Sequence, residues 1–170
     1  MSRERDLQRV LDGVVVAVVR SPSSDQLVEV ATALADGGVT TVEITMTVPG
    51  VLEVIRDVRK RLGDRLFLGA GTVLDTESAR AAILAGAEYI VTPTLNPEVI
   101  RLCRRYDKLV MPGAFTPTEI LTAWEAGACA LGVGGALVEK DALARGDMQR
   151  VRSLAGEYMN IVRQHQAKAG

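Results

Sequence analysis

Six short apolar runs, each followed by a loop and a longer amphipathic stretch, recur about every 20–27 residues along the chain. They occupy 14–19, 39–45, 66–69, 88–92, 108–111 and 129–133. Strand, loop and helix in regular alternation dictate a parallel sheet with right-handed crossovers. The runs are nearly continuous in Val, Ile, Leu and Ala, as strands covered on both faces require. Composition agrees, at 48% hydrophobic and only 4% aromatic.

The intervening stretches carry helix punctuation. Ser21-Pro22-Ser23-Ser24 supplies capping chemistry for a helix over 23–36, and Gly37-Gly38 ends it. Pro49-Gly50 opens a helix to Leu62, and Asp75 caps one that ends near Gly86. Asn96-Pro97 pairs an N-cap with proline at the first helical position. Thr116-Pro117-Thr118-Glu119 starts a helix to Gly127. A loop holding Glu139-Lys140-Asp141 leads to a last helix over 147–166, and the first dozen residues read as a short leading helix. Similar helix-to-strand junctions recur at 35–39, 84–88 and 125–129. No linker divides the chain, so 1–170 reads as one α/β domain of the TIM-type (β/α)-barrel kind. An eight-unit barrel typically needs ~250 residues and at least ~200; 170 residues hold six units.

Charge narrows the partners. There are 20 basic and 21 acidic residues with no basic patch, which argues against nucleic acid. The charged start is not followed by a signal-peptide core, and no apolar run approaches the ~18 residues of a membrane span. Two cysteines, Cys103 and Cys129, lie far apart and read as reduced thiols in a cytoplasmic protein. One histidine, His165, sits on a polar C-terminal helix and reads as a surface residue. A metal site is not expected.

In parallel α/β folds reactive groups gather at the C-terminal ends of strands. Glu43 is the sharpest feature there, because a carboxylate inside Val42-Glu43-Ile44 is costly unless paired. Alternation places Glu43, Thr45 and Thr47 on one face. Glu43 reads either as a general acid/base with a raised pKa or as half of a buried ion pair with an arginine. Arg20 ends the first strand, as a carboxylate clamp or a solvated strand-end residue. Gly69-Ala70-Gly71-Thr72 reads as a Gly-rich turn that lets backbone approach a ligand and adds a hydroxyl. Thr92-Pro93-Thr94 ends the fourth strand. Gly132-Val133-Gly134-Gly135 either presents N–H groups to a phosphate or makes a tight β-to-α turn.

Taken in order, five segments resemble the 2-keto-3-deoxy-6-phosphogluconate (KDPG) and 4-hydroxy-2-oxoglutarate aldolase family: 37–45, 69–74, 86–93, 111–119 and 127–138. The resemblance implies a cytoplasmic barrel enzyme, usually homotrimeric and without metal or organic cofactor. It would cleave a phosphorylated keto-deoxy sugar acid to pyruvate and glyceraldehyde 3-phosphate through a lysine Schiff base. It implies Glu43 as acid/base acting through a bound water, Arg20 and Thr72 on the substrate carboxylate, and Gly134 and Gly135 on phosphate. Thr47 and Pro93 complete the substrate-facing set; some members carry an arginine at the position of Thr47.

One departure is large. In the family a strand with Lys-x-Phe-Pro follows the fifth helix, then two further helices and a strand ending Pro-Thr-Gly-Gly, before the Gly-x-Gly strand. Here Ala126-Gly127-Ala128 runs straight into Cys129-Ala130-Leu131-Gly132, as though two β/α units were removed at a repeated Ala-Gly-Ala. The lysine segment goes with them. Lys60, Lys108, Lys140 and Lys168 remain; Lys140 is nearest the catalytic rim but stands between two acids. Two outcomes follow: a family lyase without its nucleophile, or a non-catalytic barrel serving as a scaffold or weak pyruvate/phosphate binder. A shortened sheet is expected to stay open between its fifth and sixth strands or to assemble through an altered interface.

Overall fold

The structure is a computed structural model that describes residues 3–93, 96–112, 131–133 and 137–169. The described residues hold six strands: β1 (Val15–Val19), β2 (Thr41–Thr45), β3 (Phe67–Gly71), β4 (Tyr89–Thr92), β5 (Leu109–Pro112) and β6 (Leu131–Val133). All paired strands are parallel, in the order β5-β4-β3-β2-β1-β6. This is the order of a β/α barrel, and among the described residues no ladder joins β5 to β6. The helices are α1 (Arg3–Gly13), α2 (Leu27–Asp36), α3 (Val51–Leu62), α4 (Thr76–Ala85), α5 (Pro97–Arg105), α6 (Lys140–Ala144) and α7 (Met148–Ala169). None of the described helices is long and apolar enough to cross a membrane.

Period-two alternation splits each strand between two environments. Val42, Ile44, Leu68, Ala70 and Ile90 point outward into the main core with Val30, Leu34, Ile55 and Ala82 of the helices. Val16, Phe67, Tyr89 and Val91 point inward and form a second, smaller core with Val10 of α1. The leading helix therefore closes the N-terminal end of the sheet. Arg9 lays its guanidinium over the Phe67 ring, 4.8 Å from the centroid, and Phe67 stacks on Tyr89 at 4.9 Å.

Local chemistry explains where elements begin. Asp75 accepts a hydrogen bond from the Ser78 N–H at 2.7 Å, and Asn96 accepts from Glu98 and Val99, as caps at those positions should. The serines before α2 do not cap it. Ser21 Oγ accepts from the Ser23 N–H, and Ser23 Oγ accepts from the Asp25 N–H, so both hydroxyls are spent in the loop. The helix starts only at Leu27, behind Gln26 at φ 64°. The expected loop at 139–141 is instead the start of α6, with Glu139 at its N-cap. The helix expected over 116–127, Cys129 and the Ala128–Cys129 join lie outside the described residues. Cys103 is buried in α5, and burial pushes its thiol up to about 11.

Glu88 ties this frame together. Its buried carboxylate accepts from Arg9 of α1 at 3.3 Å and from Arg59 of α3 at 3.0 Å, and the Leu68 N–H donates to it at 3.3 Å. Three elements meet on one charge at the N-terminal rim. Glu88→Ala takes the shared acceptor from both guanidinium groups and from the Leu68 N–H, and should destabilise the fold by about 2 kcal/mol or more. Urea denaturation measures this, and a loss below ~0.5 kcal/mol, the size of an ordinary surface change, would show that the network is not holding the rim.

Candidate functional site

The inward residues stack in rows set by the strand registers. The middle row runs Val18, Glu43, Gly69, Tyr89, Leu109 across five strands. Below it lie Gly132, Val16, Thr41 and Phe67. Above it stand Thr45 beside Gly71, and Val91 beside Met111. Glu43 thus sits inside the sheet, one row beneath the C-terminal mouth.

The glycines of β3 decide what fills the middle of this face. Residues 69–71 are the end of the strand rather than a turn, which corrects the expectation for the Gly-Ala-Gly-Thr segment. A Cβ on Gly71 would overlap the Glu43 carboxyl, and a Cβ on Gly69 would overlap the Tyr89 ring. The glycines are there for close approach by side chains of the neighbouring strands, not for a bend.

Glu43 is 4% exposed. Among the described residues no ion pair reaches its carboxylate, so the buried-pair alternative has no partner here. Burial pushes the carboxyl up from an ordinary 4.5 to about 7, and the Arg20 guanidinium pulls against that rise. Arg20 itself is exposed just past β1. Thr45 is buried, and its hydroxyl shares a 2.8 Å hydrogen bond with that of Thr47, which lies exposed beyond the strand end.

Thr72 follows β3 directly and carries backbone strain. Its φ of 57° is one that β-branched residues rarely adopt. Flanking hydrogen bonds enforce it: the Met46 N–H donates to the Gly71 carbonyl at 2.8 Å, and the Val73 N–H donates to the Val91 carbonyl at 3.1 Å. Strain of this kind costs about 1–3 kcal/mol and clusters where a ligand clamp needs a fixed direction. Pro93 is exposed after β4. Glu43, Arg20, Thr45, Thr47, Thr72 and Pro93 therefore all belong to the C-terminal half of the sheet; Gly134 and Gly135 lie outside the described residues. Tyr89 was not foreseen as part of this face. Its place next to Glu88 in an apolar run gave only the period-two signal, which puts residue 89 inward.

The lysines stand elsewhere. Lys60 is exposed in α3, Lys140 is exposed at the start of α6, and Lys168 is near the end of α7. Lys108 precedes β5 at the N-terminal rim, where it lines a cavity of about 300 Å³ with Asp6, Arg59, Glu88 and Tyr106. Among the described residues no group of three His, Cys, Asp or Glu side chains is placed to hold a metal.

The titration of Glu43 carries a signed consequence. Below about 4.5 the carboxyl is protonated in both folded and unfolded chains. Between there and about 7 only the native state keeps the proton, so stability falls as pH rises; above that the loss is complete. The span corresponds to about 3 kcal/mol. Glu43→Gln removes the buried charge, so its stability relative to the parent should climb between about pH 5 and 8 in urea denaturation. A difference that stays flat with pH would mean that Glu43 titrates as an ordinary carboxylate.

Residues 7–162 match the family described as KDPG and KHG aldolase. The chain is 38% identical over 117 residues to the 2-dehydro-3-deoxy-6-phosphogalactonate aldolase of Escherichia coli K12, covering 69% of this chain and 57% of that protein. It is 30% identical over 155 residues to the 2-dehydro-3-deoxy-phosphogluconate aldolase of Haemophilus influenzae, covering 91% of this chain and 70% of that one. The chain thus spans little more than half to 70% of the length of these relatives. Among solved structures, the KDPG aldolase of Legionella pneumophila with pyruvate captured as a covalent carbinolamine superposes with a TM-score of 0.74 at 17% identity, over 87% of this chain and 95% of that one. That likeness speaks for the fold. Native KDPGal superposes equally well, at 0.74 and 25% identity over 88% and 94% of the two chains. By motif order, by the family match along nearly its whole length and by the barrel order of its strands, the chain belongs to the KDPG and KHG aldolase family.

Proposed function

We propose that this chain keeps the acid/base and carboxylate-binding half of a class I pyruvate aldolase and lacks the lysine that such an enzyme turns into a Schiff base. It binds pyruvate-type keto acids at the C-terminal mouth of the sheet and does not cleave the phosphorylated keto-deoxy sugar acid of an intact parent. The observation that carries this reading is the placement of the four lysines: none belongs to any of the six strands.

The chemistry explains why that matters. Retro-aldol cleavage leaves an electron pair on the carbon beside the keto group. A protonated imine accepts that pair far better than a bare carbonyl does, and forming the imine needs an amine with a depressed pKa in a desolvated pocket. Lys140 is exposed and stands beside Glu139 and Asp141, so no desolvated pocket surrounds it. The remaining parts suit the other half of the task. Arg20 at the mouth can fork onto a carboxylate. Thr72, held in its strained conformation, offers a hydroxyl to the same group. Glu43, with a pKa of about 7, is poised to give and take a proton near neutrality.

Strand order supports the loss of two units. β6 pairs with β1 in register Val15↔Leu131 to Ala17↔Val133, the place that the last strand of a closed barrel takes. The strand after β5 in the described chain is therefore its final strand, as the shortened motif order suggests. Incubation with pyruvate and borohydride, followed by intact mass measurement, should give no stoichiometric adduct. A stoichiometric adduct would overturn the proposal, and peptide mapping would name the lysine.

A second reading is favoured by the edges of the sheet. β5 and β6 are the two ends of the described sheet, and sheet ends with unpaired backbone groups can pair with another chain. A homo-oligomeric, non-catalytic assembly subunit fits that feature. Small-angle scattering and sedimentation should then show a particle larger than one chain; a monomer with a closed six-stranded barrel would refute it.

A further inference from the structure

Glu43, Gly69 and Tyr89 are lateral neighbours in one row, on β2, β3 and β4. Strands lie about 4.8 Å apart, so the outer two backbones are separated by about 10 Å, with a residue lacking a side chain between them. Both side chains lean over β3 from opposite sides, Tyr89 onto Gly69 and Glu43 onto Gly71. The phenol is fully buried, and its oxygen has no protein hydrogen-bond partner among the described residues. The hydroxyl of Thr41, two residues before Glu43 on the same inward face, is in the same condition. Leaving such a group unpaired costs about 1–3 kcal/mol, and buried polar groups are nearly always satisfied, often by ordered water. Glu88, the other carboxylate near this ring, already accepts from Arg9, Arg59 and the Leu68 N–H. Asp6 Oδ1, also unpartnered, lies at the rim cavity with Arg59 and Lys108, so Glu43 is the open carboxylate in the row of the ring.

We infer that the Tyr89 hydroxyl positions the Glu43 carboxylate, donating to it through one buried water. A buried water makes about three hydrogen bonds, enough to join the phenol to the carboxylate. Tyr89 is a positioning residue: it touches neither the mouth nor a reacting atom, and it acts by fixing where Glu43 points and which protonation state it prefers. The inference deepens the acid/base reading of Glu43 and takes its functional meaning from it, while its geometry stands independently. The other charges facing this carboxyl are few among the described residues. Arg20 approaches from the end of β1, and the Glu88 network with Arg9 of α1 and Arg59 of α3 lies below the ring. β3 contributes only its glycines.

Tyr89→Phe deletes the hydroxyl and keeps the ring that packs on Gly69 and Phe67. Carbon-13 NMR of glutamate-labelled full-length protein, with Glu43→Gln to assign the signal, follows the Glu43 carboxyl through a pH titration. Loss of a donor to the charged form should raise its midpoint by about one pH unit in Tyr89→Phe. A midpoint unmoved in Tyr89→Phe would overturn the inference, since a packing role survives in phenylalanine. If Tyr89→Phe fails to fold, the ring carbon signal of Tyr89 in tyrosine-labelled parent protein should shift at the Glu43 midpoint, and a signal flat through it overturns the inference instead. The parent protein separates the two readings. A midpoint at the ordinary carboxylate value sinks the acid/base role of Glu43, whereas the difference between parent and variant tests the Tyr89 contact wherever that midpoint lies.

Discussion

The inner face of this sheet depends on two missing side chains. Gly69 and Gly71 are the successive inward positions of β3 after Phe67, and a methyl group at either would overlap a neighbouring side chain. Without them Glu43 could not lie over β3 and Tyr89 could not reach across from β4. The carboxylate would be driven toward the mouth and into water. Its pKa is high because burial disfavours the charge, so the electrostatic character of the site is a consequence of close packing on glycine.

Two buried glutamates show how burial and partnership give opposite properties. Glu88 and Glu43 are both almost inaccessible, at 5% and 4% exposure. Glu88 is met by two arginines and a backbone N–H, and it binds α1, α3 and β3 into one rim. Glu43 has Arg20 acting on it without an ion pair among the described residues. One is a fastener and the other a buried carboxyl that keeps its proton to higher pH, at opposite ends of one sheet. The backbone follows the same division, with the left-handed φ of Thr72 at the mouth.

Much of this was legible from the sequence because it rests on local rules. Strand and helix alternation, the caps at Asp75 and Asn96, and Glu43 inside an apolar run all follow from patterns a few residues long. The parts that were not legible depend on partners far apart in the chain. Gly69-Ala70-Gly71 looks like a turn until β2 and β4 supply the side chains that need its space. Ser21 to Ser24 looks like a helix cap until the hydroxyls are seen to bond within their own loop. The Arg9–Glu88–Arg59 network joins residues separated by 79 and 29 positions, and no window along the sequence holds them together.

The family match and the lysine placement point in different directions, and the rows of the inner face reconcile them. Glu43, its row-mates and the strained Thr72 are set by β1 to β4, whose ladders continue unbroken through one another. A nucleophile on a later strand contributes nothing to that geometry. The place of Glu43 is therefore supported locally, by the first four strands, whatever follows them in the chain. A (β/α) barrel divides its inner face among strands that need not touch, and the same modularity lets a buried carboxyl on β2 keep its place and its raised pKa independently of what the later strands carry.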